Sequence, residues 1–267
     1  MSLRREIERE ILERGPMPFS RYMELCLYHA EEGYYSRAAE KFGRTGDFYT
    51  ASDVHAVYGR LLARQFDQMW RLLGGPSRLD LIELGPGRGL LARDVLDWSR
   101  EKFPDFCRAL RYCLVERSAE LRRGLETRLK EAIRQGHAEV LSDLELDGAA
   151  ASAAAIVFAN EFFDALPVEV VDARGEVRVE ARDGRLMEAF VPPSAAVLDY
   201  LDRHSVHPEA GERVEAGLVA LQWVRRLAAL VRRGFVVVVD YGYTREELLA
   251  GRHRGTVMAY RQHTASP

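Results

Sequence analysis

Between residues 79 and 240 five short apolar runs each end on an acid or an amide, and that pattern leaves few folds open. The runs are Leu79–Leu84, Leu110–Val115, Ala138–Leu141, Ala155–Ala159 and Phe235–Val239. At or just past their ends stand Glu83, Glu116, Asp143, Asn160 with Glu161, and Asp240. Strand-length apolar runs alternating with amphipathic helical segments predict an α/β fold with a doubly wound, mostly parallel sheet. Such sheets take their ligands beyond the carboxyl ends of the strands. One acid there would mean little; five in register predict a site.

The most informative stretch is Asp80-Leu-Ile-Glu83-Leu-Gly85-Pro-Gly87-Arg-Gly89. Glycine lets a backbone turn tightly and approach a ligand with no Cβ in the way. A dinucleotide fingerprint, G-x-G-x-x-G, would need its third glycine at position 90, which is leucine. Here the spacing is G-x-G-x-G, with an acid before it that would repel a pyrophosphate. The acid suits a ligand carrying an ammonium and a sulfonium, such as S-adenosylmethionine (SAM). Glu116, closing Leu114-Val-Glu, is placed to accept from both hydroxyls of an unphosphorylated ribose. Asp143 can accept from an adenine amino group, although Ser142-Asp143 reads equally well as a turn.

The fourth run opens into Asn160-Glu161-Phe-Phe-Asp164-Ala-Leu-Pro167. Asn160 puts an amide at the sheet edge. Glu161 and Asp164 are three apart, so a helical turn would set them on one face. Two carboxylates beside a methyl donor fit a guanidinium, which stays charged at any physiological pH. The plainer reading is that Asp164 caps a turn while the phenylalanines pack. Seven scattered histidines, no G-x-S-x-G elbow and no HExxH helix point to neither an acyl-transfer triad nor a zinc site. No metal is expected.

The remainder divides in two. Residues 1–75 read as an N-terminal helical extension. It has a helix over Leu3–Arg14, a second capped by Ser20, a glycine- and aromatic-rich loop over residues 33–52, and a third helix from Asp53. Residues 76–267 read as the wound core. Within it Ser118 should cap one helix striped by Leu121, Leu125, Leu129 and Ile133 and closed by Gly136. Turn signals at Ala173-Arg-Gly175 and Arg182-Asp-Gly184 predict an inserted antiparallel β meander, the insertion covering about residues 168–212. A long helix is expected over about 213–233.

Composition excludes several function classes. The 267 residues carry 38 basic and 41 acidic side chains, too balanced for a protein that holds nucleic acid by bulk charge. Three cysteines without paired spacing fit a reducing compartment. No apolar run is long enough to span a membrane, and the N-terminus mixes acids with bases and lacks an apolar stretch. A bacterial-type cytoplasmic protein without signal or transit peptide is expected. Nothing in the sequence speaks to oligomeric state.

Seven motifs occur in a fixed order: Gly33-Tyr-Tyr, Gly46-Asp-Phe-Tyr-Thr-Ala51, Glu83-Leu-Gly-Pro-Gly-Arg-Gly89, Leu114-Val-Glu116, Asn160–Pro167, Val239-Asp-Tyr-Gly242 and Gly255-Thr-Val-Met-Ala-Tyr260. In this the chain resembles the MidA family of SAM-dependent class I methyltransferases, relatives of the mitochondrial complex I assembly factor, from about residue 15 onward. The resemblance implies a Rossmann-like methyltransferase core and SAM as cofactor. It matches Gly85, Gly87 and Gly89 to the cofactor loop, Glu116 to the ribose acid, and Asp47 and Thr50 to an N-terminal loop closing over the site. It also implies protein arginine N-methylation linked to respiratory complex assembly, with a respiratory-chain subunit as candidate substrate and Asn160, Glu161 and Asp164 at the acceptor. Two other readings stand beside it: a small-molecule O- or N-methyltransferase, and a non-catalytic SAM-binding assembly chaperone. The sequence departs from the family at Ser142-Asp143, which lacks the tryptophan and histidine usual there, and at His55, where serine is commoner.

Class I methyltransferase sheets normally add two strands after the fifth. Only 28 residues follow Val239, so the last strands are expected to be missing and the apolar edge of the sheet partly exposed.

Overall fold

The computed structural model describes residues 2–36, 55–149, 154–244, 246–247, 255–261 and 264–266. In chain order the helices and strands are α1 (Leu3–Arg14), β1 (Met17–Pro18), α2 (Phe19–Tyr28), α3 (Val57–Leu72), β2 (Leu79–Leu84), α4 (Leu90–Lys102), α5 (Pro104–Ala109) and β3 (Leu110–Val115). They continue with α6 (Ala119–Arg128), α7 (Lys130–Arg134), β4 (Ala138–Leu141), α8 (Leu146–Ala149), β5 (Ala155–Asn160), β6 (Glu169–Asp172), β7 (Gly175–Arg182) and β8 (Arg185–Val191). The last are α9 (Ala195–His204), β9 (Arg213–Ala216), α10 (Leu218–Leu230), β10 (Gly234–Val239), β11 (Ala259–Arg261) and β12 (Thr264–Ser266). No described helix is long and apolar enough to cross a membrane.

The chain forms two compact units. One comprises Ala38–Phe162 and Val224–Asp240, the other Met1–Arg37, Phe163–Trp223 and Tyr241–Pro267.

The first unit holds the expected parallel sheet, in the order β10-β5-β2-β3-β4. Strand order reverses at β2, as in doubly wound folds. The continuous apolar runs of β2, β3 and β5 are buried on both faces, as interior parallel strands require. Leu79, Leu81, Ile156 and Phe158 meet Phe66 of α3, Val95 of α4 and Tyr112 of β3 in one core. Phe66 and Phe158 pack edge to face, their ring centroids 5.5 Å apart. Truncating either to alanine should cost about 3–5 kcal/mol.

Asp80, the first charge inside β2, is fully buried. It is met by Arg111 opposite it on β3, whose Nε donates to Asp80 Oδ1 over 2.8 Å. At the far edge β10 buries its alternate side chains poorly. Phe235 and Val237 pack on the core, whereas Val236 and Val238 are 46% and 48% exposed.

The second unit is built on an antiparallel sheet ordered β1-β7-β6-β9, with β8 paired to β7. The expected meander is present. Its β7–β8 turn uses Asp183 and Gly184 at φ +50° and +68°, the left-handed pair that a two-residue Asp-Gly hairpin demands. Ile7, Ile11, Met17, Leu25 and Val179 form a small core between the N-terminal helices and this sheet.

Three local expectations are corrected. Ser20 lies inside α2, not at its cap, and its hydroxyl donates to Glu169. The helix capped by Ser118 breaks at Leu129 into α6 and α7. The long helix begins later, because Arg213–Ala216 pairs with β6 as β9; α10 covers only Leu218–Leu230. In the last case a strand partner, β6, takes the backbone hydrogen bonds that local propensity would have drawn into a helix.

Candidate functional site at the carboxyl edge of the parallel sheet

Register brings the carboxyl ends of the parallel strands level. Leu84 lies opposite Val115 and Ala159, Val115 opposite Leu141, and Asn160 opposite Val239. Gly85 N–H donates to the Val115 carbonyl and Glu116 N–H to the Leu141 carbonyl, so the ladder extends one residue past the strands. Glu83, Gly85, Glu116, Asn160 and Glu161 therefore belong to one edge of one sheet.

Gly85, Gly87 and Gly89 all have positive φ, at +64°, +52° and +71°. Any side chain at Gly87 would be strained, yet its Cβ would meet nothing within 4 Å. The loop is thus shaped for backbone exposure at position 87. It is not shaped by crowding there.

Glu83 differs from Asp80 on the same strand. It is only 4% exposed, and its described hydrogen-bond partner is neutral, the Tyr112 hydroxyl at 2.9 Å. Among the described residues no lysine or arginine forms an ion pair with it. Burial, opposed by Tyr112 and helped by the Glu116 charge, pushes its carboxyl up to about 7. Glu116, also buried, is pushed up to about 7 by desolvation, against backbone donors at Ser118, Gly87 and Arg117 and the Arg122 charge. The Ser118 N–H donates to it over 2.8 Å. Two poorly compensated buried carboxyls beside a left-handed glycine loop fit a ligand that brings positive charge and hydroxyl donors. That is the chemistry of SAM.

Asp143 is half-buried in the turn after β4, which Ser142 closes by donating its N–H and hydroxyl to Glu145, each at 2.7 Å. The Asp143 carbonyl accepts from Arg226. Asp47 and Thr50 lie outside the described residues. Among the described residues no group of three His, Cys, Asp or Glu could hold a metal.

After β5 the chain does not make a helical turn. Residues 161–167 run through bends and a turn, and Glu161 sits at φ +48° with its N–H on the Val239 carbonyl. A non-glycine residue there costs about 1–3 kcal/mol, a local strain that clusters at functional sites. Asp164 falls in the unit of the antiparallel sheet and accepts from the Tyr241 hydroxyl. Glu161 and Asp164 thus do not share a helical face.

One residue escaped sequence reading. Tyr58, in the first turn of α3, donates its hydroxyl to Asn160 Oδ1 over 2.6 Å. Burial, then the charges of Glu161 and Glu83, raise its phenol above the ordinary value. An aromatic at helical spacing reads as core, and only its half-buried position at the sheet edge marks it. His55, the departure noted in the sequence, accepts the Val57 N–H on Nδ1 at the start of α3.

A family model described as S-adenosyl-L-methionine-dependent methyltransferase matches residues 61–267. The mitochondrial protein arginine methyltransferase NDUFAF7 homolog of Drosophila melanogaster is 30% identical, across 98% of this chain and 64% of its own length. Its Homo sapiens counterpart is 26% identical, across 90% and 59%. The chain therefore spans less than two thirds of the length of these relatives. A crystal structure from Burkholderia thailandensis bound to S-adenosyl-homocysteine superposes with a TM-score of 0.81 at 30% identity, covering 98% of this chain and 68% of that one. A native crystal structure from the same organism gives a TM-score of 0.78 at 29% identity, covering 99% and 67%.

Proposed function

The chain belongs to this family of S-adenosyl-L-methionine-dependent methyltransferases, and on that premise we propose that it binds SAM and methylates an arginine of a protein. The observation that carries the cofactor half is the contrast within β2. Asp80 is neutralised by Arg111, while Glu83 is buried at the ligand edge and, among the described residues, pairs with no cation. An uncompensated buried carboxylate is costly unless a ligand completes it.

In this reading the backbone of Gly85, Gly87 and Gly89 lies against the cofactor, and Glu83 takes its ammonium. Glu116 takes the ribose hydroxyls and Asp143 the adenine amino group, with Asp47 and Thr50 in the covering loop. When bound, SAM supplies an electrophilic methyl group. The chain's own task is to orient and desolvate the acceptor nitrogen, which positioning alone can accelerate greatly. Asn160, Glu161 and Asp164 are assigned to the acceptor. The arginine assignment rests on the names of the NDUFAF7 relatives and on the acidity of this segment. A respiratory-chain subunit, expected from the family resemblance, is the first protein to test, and a cytoplasmic setting belongs to the same proposal.

Incubating the purified chain with methyl-labelled SAM and cell lysate tests this. Label in dimethyl- or monomethyl-arginine of protein supports it. Label in small molecules alone, or none despite SAM binding, would replace it with a small-molecule enzyme or a SAM-binding chaperone.

A further inference from the structure

We propose that Tyr112 is a positioning residue for the cofactor's ammonium group: its hydroxyl holds Oε2 of Glu83, leaves Oε1 for the ligand, and supplies no charge that would compete with it. This rests on the SAM reading above, in which Glu83 takes the ammonium. Tyr112, Glu83 and Glu116 lie in the same unit of the chain.

The register of two strands builds this contact. β2 and β3 run parallel, with Leu81 opposite Tyr112 and Glu83 opposite Leu114. Tyr112 and Leu114 are two apart on one strand, so both side chains stand on the face that carries Glu83. The Tyr112 ring is fully buried in the core and reaches along the sheet, its hydroxyl donating to Glu83 Oε2 over 2.9 Å. Oε1 accepts from no described residue, yet it is not sealed from solvent. A ring enclosed by the core holds its hydroxyl at a fixed point, and the carboxylate it meets is fixed in turn. An acceptor already in place loses little freedom when a ligand arrives.

Charge explains why a tyrosine stands here. One residue earlier, Arg111 cancels Asp80 in an ion pair of 2.8 Å. A cation in place of the Tyr112 hydroxyl would cancel Glu83 in the same way and exclude the ammonium. An apolar side chain would leave a buried carboxylate oxygen unsatisfied and favour the protonated acid, which offers an ammonium no charge. The phenol does neither. Burial, then the charge of Glu83, hold it well above its ordinary value, so it remains a neutral donor. The other titratable groups that face Glu83 are Glu116 and Tyr58, and neither is cationic.

The test measures SAM affinity by calorimetry at neutral pH for the full chain and for Tyr112→Phe, Glu83→Gln and the double variant. Tyr112→Phe should weaken SAM by about fivefold or more. In the Glu83→Gln background the same substitution should cost less than about twofold, because its effect runs through the carboxylate. 5′-Methylthioadenosine keeps the ribose and adenine but lacks the amino-acid end, so Tyr112→Phe should change its affinity by less than about twofold. Equal losses in both backgrounds, or equal losses for both ligands, would overturn the proposal and leave Tyr112 a packing residue. A second readout uses the wild-type chain alone and so decides even if Tyr112→Phe fails to fold. Carbon-13 signals of Tyr112 Cζ and Glu83 Cδ should titrate with one midpoint, at about 7, and move together when SAM is added. Separate midpoints, or a Tyr112 signal indifferent to SAM, would overturn it. Intact SAM binding with no loss in Tyr112→Phe removes this proposal alone, whereas no SAM binding by the wild-type chain removes the cofactor reading and the proposal with it.

Discussion

The hydroxyl of Tyr58 donates to Oδ1 of Asn160 across 2.6 Å, joining the first turn of α3 to the carboxyl end of β5. A side-chain amide held this way presents its remaining groups in one orientation, without the entropy of a free rotor. Tyr58→Phe removes the donor and keeps the ring. The expected outcome is a stability loss of about 1 kcal/mol or less and an unchanged SAM affinity. Methyl transfer should slow about tenfold, as expected when an acceptor loses its positioning. Single-turnover rates alongside SAM calorimetry check this; a weakened SAM affinity with normal turnover would show that Tyr58 serves the cofactor instead.

The buried acids make stability and cofactor affinity move oppositely with pH. Folding raises the Glu83 and Glu116 carboxyls from 4.5 to about 7, so the folded state holds protons that the unfolded state has released. Their contribution is therefore fully present below about pH 4.5 and is lost as pH rises through about 7. Cationic SAM, in contrast, should bind better as they ionise. Thermal melts of the ligand-free chain should fall between pH 5.5 and 8 by this contribution, and Glu83→Gln should flatten the slope. An identical slope in the variant would mean that Glu83 is already ionised.

Glu116 also bears on the ribose. SAM at 100 times its Kd should stabilise the wild-type chain by about 2.7 kcal/mol. Hydrogen bonds to a charged group are worth about 1.5–3 kcal/mol, so Glu116→Ala should weaken SAM by one to two orders of magnitude. An unaltered thermal shift in that variant would sink its ribose role.

Gly87→Ala separates fold from ligand. The site is at φ +52° with open space around the missing Cβ. The folded chain should lose about 1 kcal/mol, the strain of an alanine there. SAM binding should fall by far more, because the methyl group would stand where the backbone is exposed. Equal small effects on melting and on binding would argue that the cofactor lies elsewhere.

The β10 edge makes a prediction of its own. It presents Val236 and Val238 half-exposed on a strand whose outer edge pairs with no described strand, a surface prone to pair with other chains. Val238→Lys should lower light scattering and shift the elution profile toward the smallest species. A rise in scattering, or early unfolding, would mean that Val238 packs more firmly than its exposure suggests.

Much of this architecture was legible in residues 79–240. Two-sided burial leaves continuous apolar runs, and left-handed turns leave glycines, as at Gly85, Gly87, Gly89 and Gly184. Less legible were elements whose partners are distant in sequence. Met17–Pro18 is a strand only because it pairs with Val179 and Arg178, and Arg213–Ala216 only because it pairs with Glu169–Asp172. The turn after Asn160 hid for a different reason. Glu161 takes a left-handed backbone with its N–H on the carbonyl of Val239, the last residue of β10, a neighbour in the sheet but five strands further along the chain.

By itself, the sequence determined the alternation of strands and helices, the glycine loop and the acids at the strand ends, since each follows from side-chain period or from the steric freedom of one residue. Only the tertiary structure decided which acids stand uncompensated. Asp80 and Glu83 are three residues apart on one strand and look alike in the sequence. Arg111 lies beside the first and Tyr112 meets the second, and that difference in neighbours turns one into a structural ion pair and the other into half of a candidate cofactor site.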